Sequence, residues 1–170
     1  MGTGCAALHD PAAAGRASIV TMIGDQEAMQ EALAEARLAA EAGEVPIGAV
    51  VVHEGAIIAR GQNRTLRDND PTAHAEMVAL RAAAAALDNH RLGGCTLLVT
   101  LEPCAMCAGA IAFARIRRLY YGAADPKGGA VDNGVKFFAS PSCHHRPEVY
   151  GGLAEAEASA LLKNFFEERR

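Results

Sequence analysis

The chain has 170 residues, 51% of them hydrophobic and 21% charged, with no tryptophan and a formal net charge of -4. Such a composition describes one globular core and excludes a disordered or fibrous chain. The acidic balance excludes a sequence-wide attraction to nucleic acid, because phosphate binding draws on clustered Lys and Arg; a partner of that kind must be met locally, by Arg115, Arg117 and Arg118, by His144, His145 and Arg146, or by Arg169 and Arg170.

Residues 1–24 are rich in Ala and Gly with Arg16 among them, which is not the pattern of a secretory signal. They read as a flexible extension ahead of one domain over 25–170. No apolar stretch is long enough to cross a bilayer. Five cysteines without an export signal point to a reducing, cytoplasmic setting, where spaced cysteines bind metal or do chemistry.

Asp25 is expected to cap a helix running to about Gly43, with Met29, Leu33, Ala36 and Ala40 on one apolar face. The apolar runs 47–52 and 56–59, separated by His53, Glu54 and Gly55, predict a hairpin. A polar loop over 63–71 follows, and Thr72 is expected to cap an Ala-rich helix over 73–87. Residues 95–100 predict a buried strand, 104–115 a helix and 118–121 a further strand; strand, helix, strand is the unit of an α/β layer. Residues 122–143 read as loop folded around Phe137 and Phe138, and 155–169 as a closing amphipathic helix.

Chemistry is concentrated at His74-Ala75-Glu76 and at Pro103-Cys104-Ala105-Met106-Cys107, that is, H-x-E followed by P-C-x-x-C. A lone C-x-x-C is weak evidence; joined to the preceding Pro and the upstream H-x-E it is specific. Zinc favours tetrahedral sites of thiolate and imidazole, and a catalytic site leaves one position to water, so His74, Cys104 and Cys107 form a complete set of protein ligands. Cysteines three apart in a first helical turn share a face, and the positive end of the helix dipole favours their thiolate form. His74 and Glu76 diverge on a mature helix; both serve one site only if two helix starts are brought side by side. Glu76 is then the proton shuttle of a hydrolytic reaction at neutral pH. The competing readings are a closed structural zinc site with Cys95 or Cys143 as fourth ligand, and a catalytically silent RNA-binding module; an unligated Glu beside the His argues against both.

These motifs resemble the cytidine deaminase superfamily, and the strings E-V-P-I-G-A-V (44–50), P-T-A-H-A-E (71–76) and T-L-E-P-C-A-M-C-A-G-A-I (100–111) are similar to the bacterial tRNA-specific adenosine deaminases within it. The resemblance implies a three-layer α/β/α fold with a mixed five-stranded sheet, a homodimer, one catalytic zinc per chain, and conversion of the wobble adenosine of a tRNA anticodon loop to inosine. It further implies that Asn63 and Ala75 bind the flipped base, that Ile47 packs on it, and that Asp125, Lys127, Phe166 and Arg169 approach the RNA. The rival within the enzyme class is a deaminase of a free nucleobase or nucleoside of the guanine or cytosine type, which shares the metal motif.

Overall fold

A computed structural model describes residues 21–170. The elements run α1 (Asp25–Glu41), β1 (Gly48–His53), β2 (Ala56–Gln62), α2 (Ala75–Leu87), β3 (Cys95–Leu101), α3 (Ala105–Phe113), β4 (Arg118–Ala123), a single 3-10 turn (Phe137–Ala139), β5 (Glu148–Gly151) and α4 (Glu155–Glu167). Most of the expected extension, residues 1–20, lies outside the described residues. Of its remainder, the Ile23 N–H donates to the Gly55 carbonyl at 2.9 Å, and the Ile23 side chain packs on the core beneath α1.

The strands form one mixed sheet in the order β2-β1-β3-β4-β5. β1 is antiparallel to β2 and β3, while β3, β4 and β5 are parallel. A sheet with parallel strands needs both faces covered, and the period of two along each strand supplies two apolar faces. Ala49, Val51, Leu97 and Val99 enter a core shared with α2 and α3, whereas Val50 and Leu98 enter one shared with α1 and with Ala158 of α4. Helices on both faces complete three layers. Leu97, Leu98 and Val99 are fully buried, each stabilising the fold by about 1.5–3 kcal/mol.

Element starts differ from the sequence expectations in informative ways. Gly24, not Asp25, is the N-cap of α1, and Asp25 and Glu27 act instead as first-turn carboxylates at the positive end of the helix. Thr72 does not cap α2, because its N–H and hydroxyl both donate to the Asp70 carboxylate, at 2.8 and 2.7 Å. The helix begins two residues later, with His74 as N-cap. β2 runs on to Gln62 through Gly61, where a Cβ would overlap the Ala75 carbonyl and the Ala79 N–H; the missing side chain lets the first turn of α2 lie directly on the strand. β5 has no counterpart in the residue pattern: it is a four-residue edge strand, mostly exposed, held by pairing to β4 and by the Arg118–Glu148 ion pair at 2.8 Å. Among the described residues no helix is long and apolar enough to cross a membrane.

Candidate active site

The starts of α2 and α3 meet at one end of the sheet. His74 and Cys104 are their N-cap residues, both with extended backbone, and neither side chain makes the usual N-cap hydrogen bond. Each is therefore free to turn toward the other. His74 Nδ1 lies 3.6 Å from Cys104 Sγ and 3.6 Å from Cys107 Sγ, and the three ligand atoms all fall within 4.8 Å of one another. A tetrahedral zinc with ordinary Zn–N and Zn–S bonds separates its nitrogen and sulfur ligands by about 3.6 Å, so the donor set and its spacing fit that ion.

The electrostatics divide the two cysteines. Cys104 is drawn down to about 4, chiefly by the hydrogen bond from the Cys107 thiol and then by His74. Cys107 is held far above the usual thiol range, its proton committed to the Cys104 sulfur and its surroundings desolvated. His74 is raised by its hydrogen bond to Cys104. The cluster thus holds one thiolate, at Cys104, with the Cys107 sulfur and the His74 imidazole beside it at two positive helix ends, a setting that favours a deprotonated sulfur ligand.

Glu76, in the first turn of α2, is 4% exposed. Burial pushes its carboxyl up to about 7, and the carboxyl faces Cys107. It lies outside the three-ligand group. The thiols considered as a fourth ligand are elsewhere: Cys95 is buried within β3, and Cys143 Sγ donates to the His145 carbonyl at 3.0 Å. Among the described residues the group therefore offers three ligand atoms to a metal ion.

Asn63 directly follows β2, beside the cluster. Its Oδ1 accepts from the Ala75 N–H at 3.1 Å, and its own N–H donates to the Ile47 carbonyl at 3.1 Å. Ala75 is fully buried and Ile47 half-buried against the α2–α3 core, so Ile47, Asn63 and Ala75 form one connected wall next to His74 and Glu76. Asp125 and Lys127 sit in the loop after β4, where Asp125 Oδ1 accepts from the Lys127 and Gly128 N–H groups at 3.1 and 2.9 Å and Lys127 is exposed. Phe166 lies in α4, across the sheet from α2 and α3, and Arg169 lies in the turn just after that helix, which ends at Glu167 rather than running on to 169; none of the described contacts ties them to the cluster. Phe166 is 50% exposed; Arg169 stacks 3.6 Å from the Phe165 ring centre. Of the other basic groups, Arg118 is paired with Glu148, and Arg115 donates to the His144 carbonyl at 3.3 Å.

Two buried carboxylates were not singled out from the sequence. Glu44, 1% exposed, accepts from the Leu66 and Arg67 N–H groups at 3.0 and 2.8 Å and fixes the loop that leads to His74. Glu102, 2% exposed, does the same for the loop carrying Asp125. The one available signal was a charged residue adjoining an apolar strand, which is a weak one.

The model of the MafB19-like deaminase family matches residues 23–170. A tRNA-specific adenosine deaminase of Agrobacterium fabrum is 62% identical over 142 residues, which are 84% of this chain and 93% of that protein. A solved structure from work on A-to-I editing by tRNA:A34 deaminases at the wobble position of transfer RNA matches with a TM-score of 0.79 and 62% identity, over 79% of this chain and 98% of that one. The guanine deaminase of Nitrosomonas europaea matches with a TM-score of 0.74 and 28% identity, over 84% of each chain. With its paired helix starts, its three-ligand group and these relatives, the chain belongs to the MafB19-like deaminases and, among them, to the family of tRNA-specific adenosine deaminases.

Proposed function

We propose that this protein hydrolytically deaminates adenosine to inosine at the wobble position of a transfer RNA, using one zinc ion per chain. Glu76 carries the reading: a buried carboxyl stands beside a His/Cys/Cys group to which the described residues add no fourth ligand. A structural zinc site has no use for such a group, whereas hydrolysis needs a proton carrier there.

His74, Cys104 and Cys107 would hold the zinc, and what that ion supplies when bound is water activated at neutral pH. Glu76 takes a proton from the attacking water and delivers it to the adjacent ring nitrogen as the amino-bearing carbon becomes tetrahedral. It then transfers the second proton to the departing amine, so that the C–N bond breaks, a carbonyl forms and ammonia leaves. A carboxyl raised to about 7 is suited to both directions of transfer. Asn63 would bind the base flipped out of the loop, Ala75 would orient Asn63 through its N–H, and Ile47 would pack on the ring. Asp125, Lys127, Phe166 and Arg169 are the proposed contacts to the anticodon loop. A cytoplasmic location and a homodimer belong to the same reading; Phe113, 77% exposed on α3, supports the latter.

The test is to incubate the protein with an anticodon stem-loop carrying adenosine at the wobble position and, separately, with free guanine, cytosine and adenosine. Inosine in the stem-loop is expected. Ammonia released from a free base, with none from the RNA, would overturn the choice of substrate in favour of a free-base deaminase.

A further inference from the structure

Glu102 lies between β3 and the ligand Cys104, yet it is no part of the metal group. Its two oxygens accept five hydrogen bonds, all from one loop. Oε2 receives the Asp125 N–H at 2.9 Å and Asn133 Nδ2 at 2.7 Å. Oε1 receives the N–H groups of Val131, Asp132 and Asn133 at 3.2, 2.9 and 2.9 Å. An ionised carboxylate offers about four acceptor sites, so the loop saturates it and takes over the role of water around a buried charge.

The loop also lies flush against the carboxylate. A Cβ at Gly129 would come 2.5 Å from Glu102 Cδ and 2.5 Å from the Asp125 carbonyl oxygen. Beside it, the Ala130 N–H donates to the Pro103 carbonyl at 2.9 Å. The loop is therefore stitched to residues 102 and 103, directly ahead of the first cysteine ligand. The loop is anchored by buried Ala130 and Val131, while its tip, Pro126, Lys127 and Gly128, is exposed.

We infer that Glu102 is a positioning residue: its buried carboxylate sets the 125–133 loop, and with it Asp125 and Lys127, at a fixed station beside the metal group for engagement of the RNA. The inference rests on the proposed function. Glu102→Gln keeps the size of the side chain but replaces one acceptor oxygen by an amide that faces N–H donors. Gly129→Ala crowds the same carboxylate from the side of the loop.

Steady-state kinetics on the anticodon stem-loop, together with metal analysis, test it. Glu102→Gln is expected to raise KM about tenfold, with kcat within about twofold and metal content unchanged, as loss of charge-assisted bonds in a binding element implies. Gly129→Ala should repeat that rise. Lys127→Ala alone should also raise KM, but it should add less than about twofold in the Glu102→Gln background, because the two act through one loop. Unchanged KM in both Glu102→Gln and Gly129→Ala, fully multiplicative effects of Glu102→Gln and Lys127→Ala, or parallel loss of kcat and metal in both single variants would each overturn the inference. If the native chain makes no inosine, it is the functional reading that fails. Hydrogen exchange then still decides the role of Glu102: amides of 131–133 exchanging at least about tenfold faster in Glu102→Gln support it, and unchanged exchange overturns it.

Discussion

His74 and Cys104 occupy equivalent positions: each is the N-cap of its helix, each leaves its own helix without a side-chain cap, and their ligand atoms lie 3.6 Å apart. N-cap side chains ordinarily satisfy the first N–H groups of a helix. Here both are given to a shared site, which reconciles the spacing of His74 and Glu76 with a common function.

This arrangement separates metal binding from helix stability at Cys104. Cys104→Ser and Cys104→Ala should both lose the metal, but the metal-free serine variant should be the more stable of the two by about 0.5–1 kcal/mol, since a serine hydroxyl can cap α3 and can still accept from the Cys107 thiol, whereas alanine does neither. Zinc content and urea unfolding of the chelator-treated variants check both.

Glu76 should make the metal-free protein less stable as pH rises. Its carboxyl sits at about 7 in the folded protein, above the ordinary value of 4.5, because burial favours the neutral form. Its contribution is fully present below about pH 4.5 and is lost as pH rises to about 7, at about 1.4 kcal/mol per pH unit. Metal-free Glu76→Gln should therefore be the more stable protein at pH 8, and the difference should shrink toward pH 5. Unfolding midpoints at the two pH values measure it.

Gly61→Ala should act on the metal group from a distance. The new Cβ meets the backbone of Ala75 and Ala79, so α2 must move off β2 and carry His74 with it. A loss of about 1–3 kcal/mol in stability is expected, as for other small-to-large changes in packed interiors, together with weaker zinc binding. Thermal unfolding and competition with a chromogenic chelator report the two effects.

Glu44→Ala should loosen the loop ahead of His74 by removing the acceptor of the Leu66 and Arg67 N–H groups. A cost of about 1–3 kcal/mol is expected, with faster hydrogen exchange at those two amides.

Motif spacing and hydrophobic runs made the two central α/β elements and the grouping of His74, Cys104 and Cys107 legible, because the nearly unbroken apolar run in 95–100 and the pair H-x-E and P-C-x-x-C each leave a mark in the order of residues. The starts of α1 and α2 were displaced for a physical reason: Asp25 and Thr72 are good caps by type, but Asp25 already lies inside its helix, and Asp70 captures the Thr72 hydroxyl. β5 carries no apolar alternation, because it is an exposed edge whose partners lie in β4. The roles of Glu44 and Glu102 depend on backbone N–H groups gathered from distant loops, which residue types alone do not reveal.

The most direct test is to follow inosine formation in the wobble-adenosine stem-loop with native protein and with Glu76→Gln, both loaded with zinc and both assayed for bound metal. The account predicts one zinc per chain in each, with turnover in the variant reduced by at least about a hundredfold, the scale of a lost proton-transfer group. Undiminished turnover by Glu76→Gln at full zinc content would contradict it.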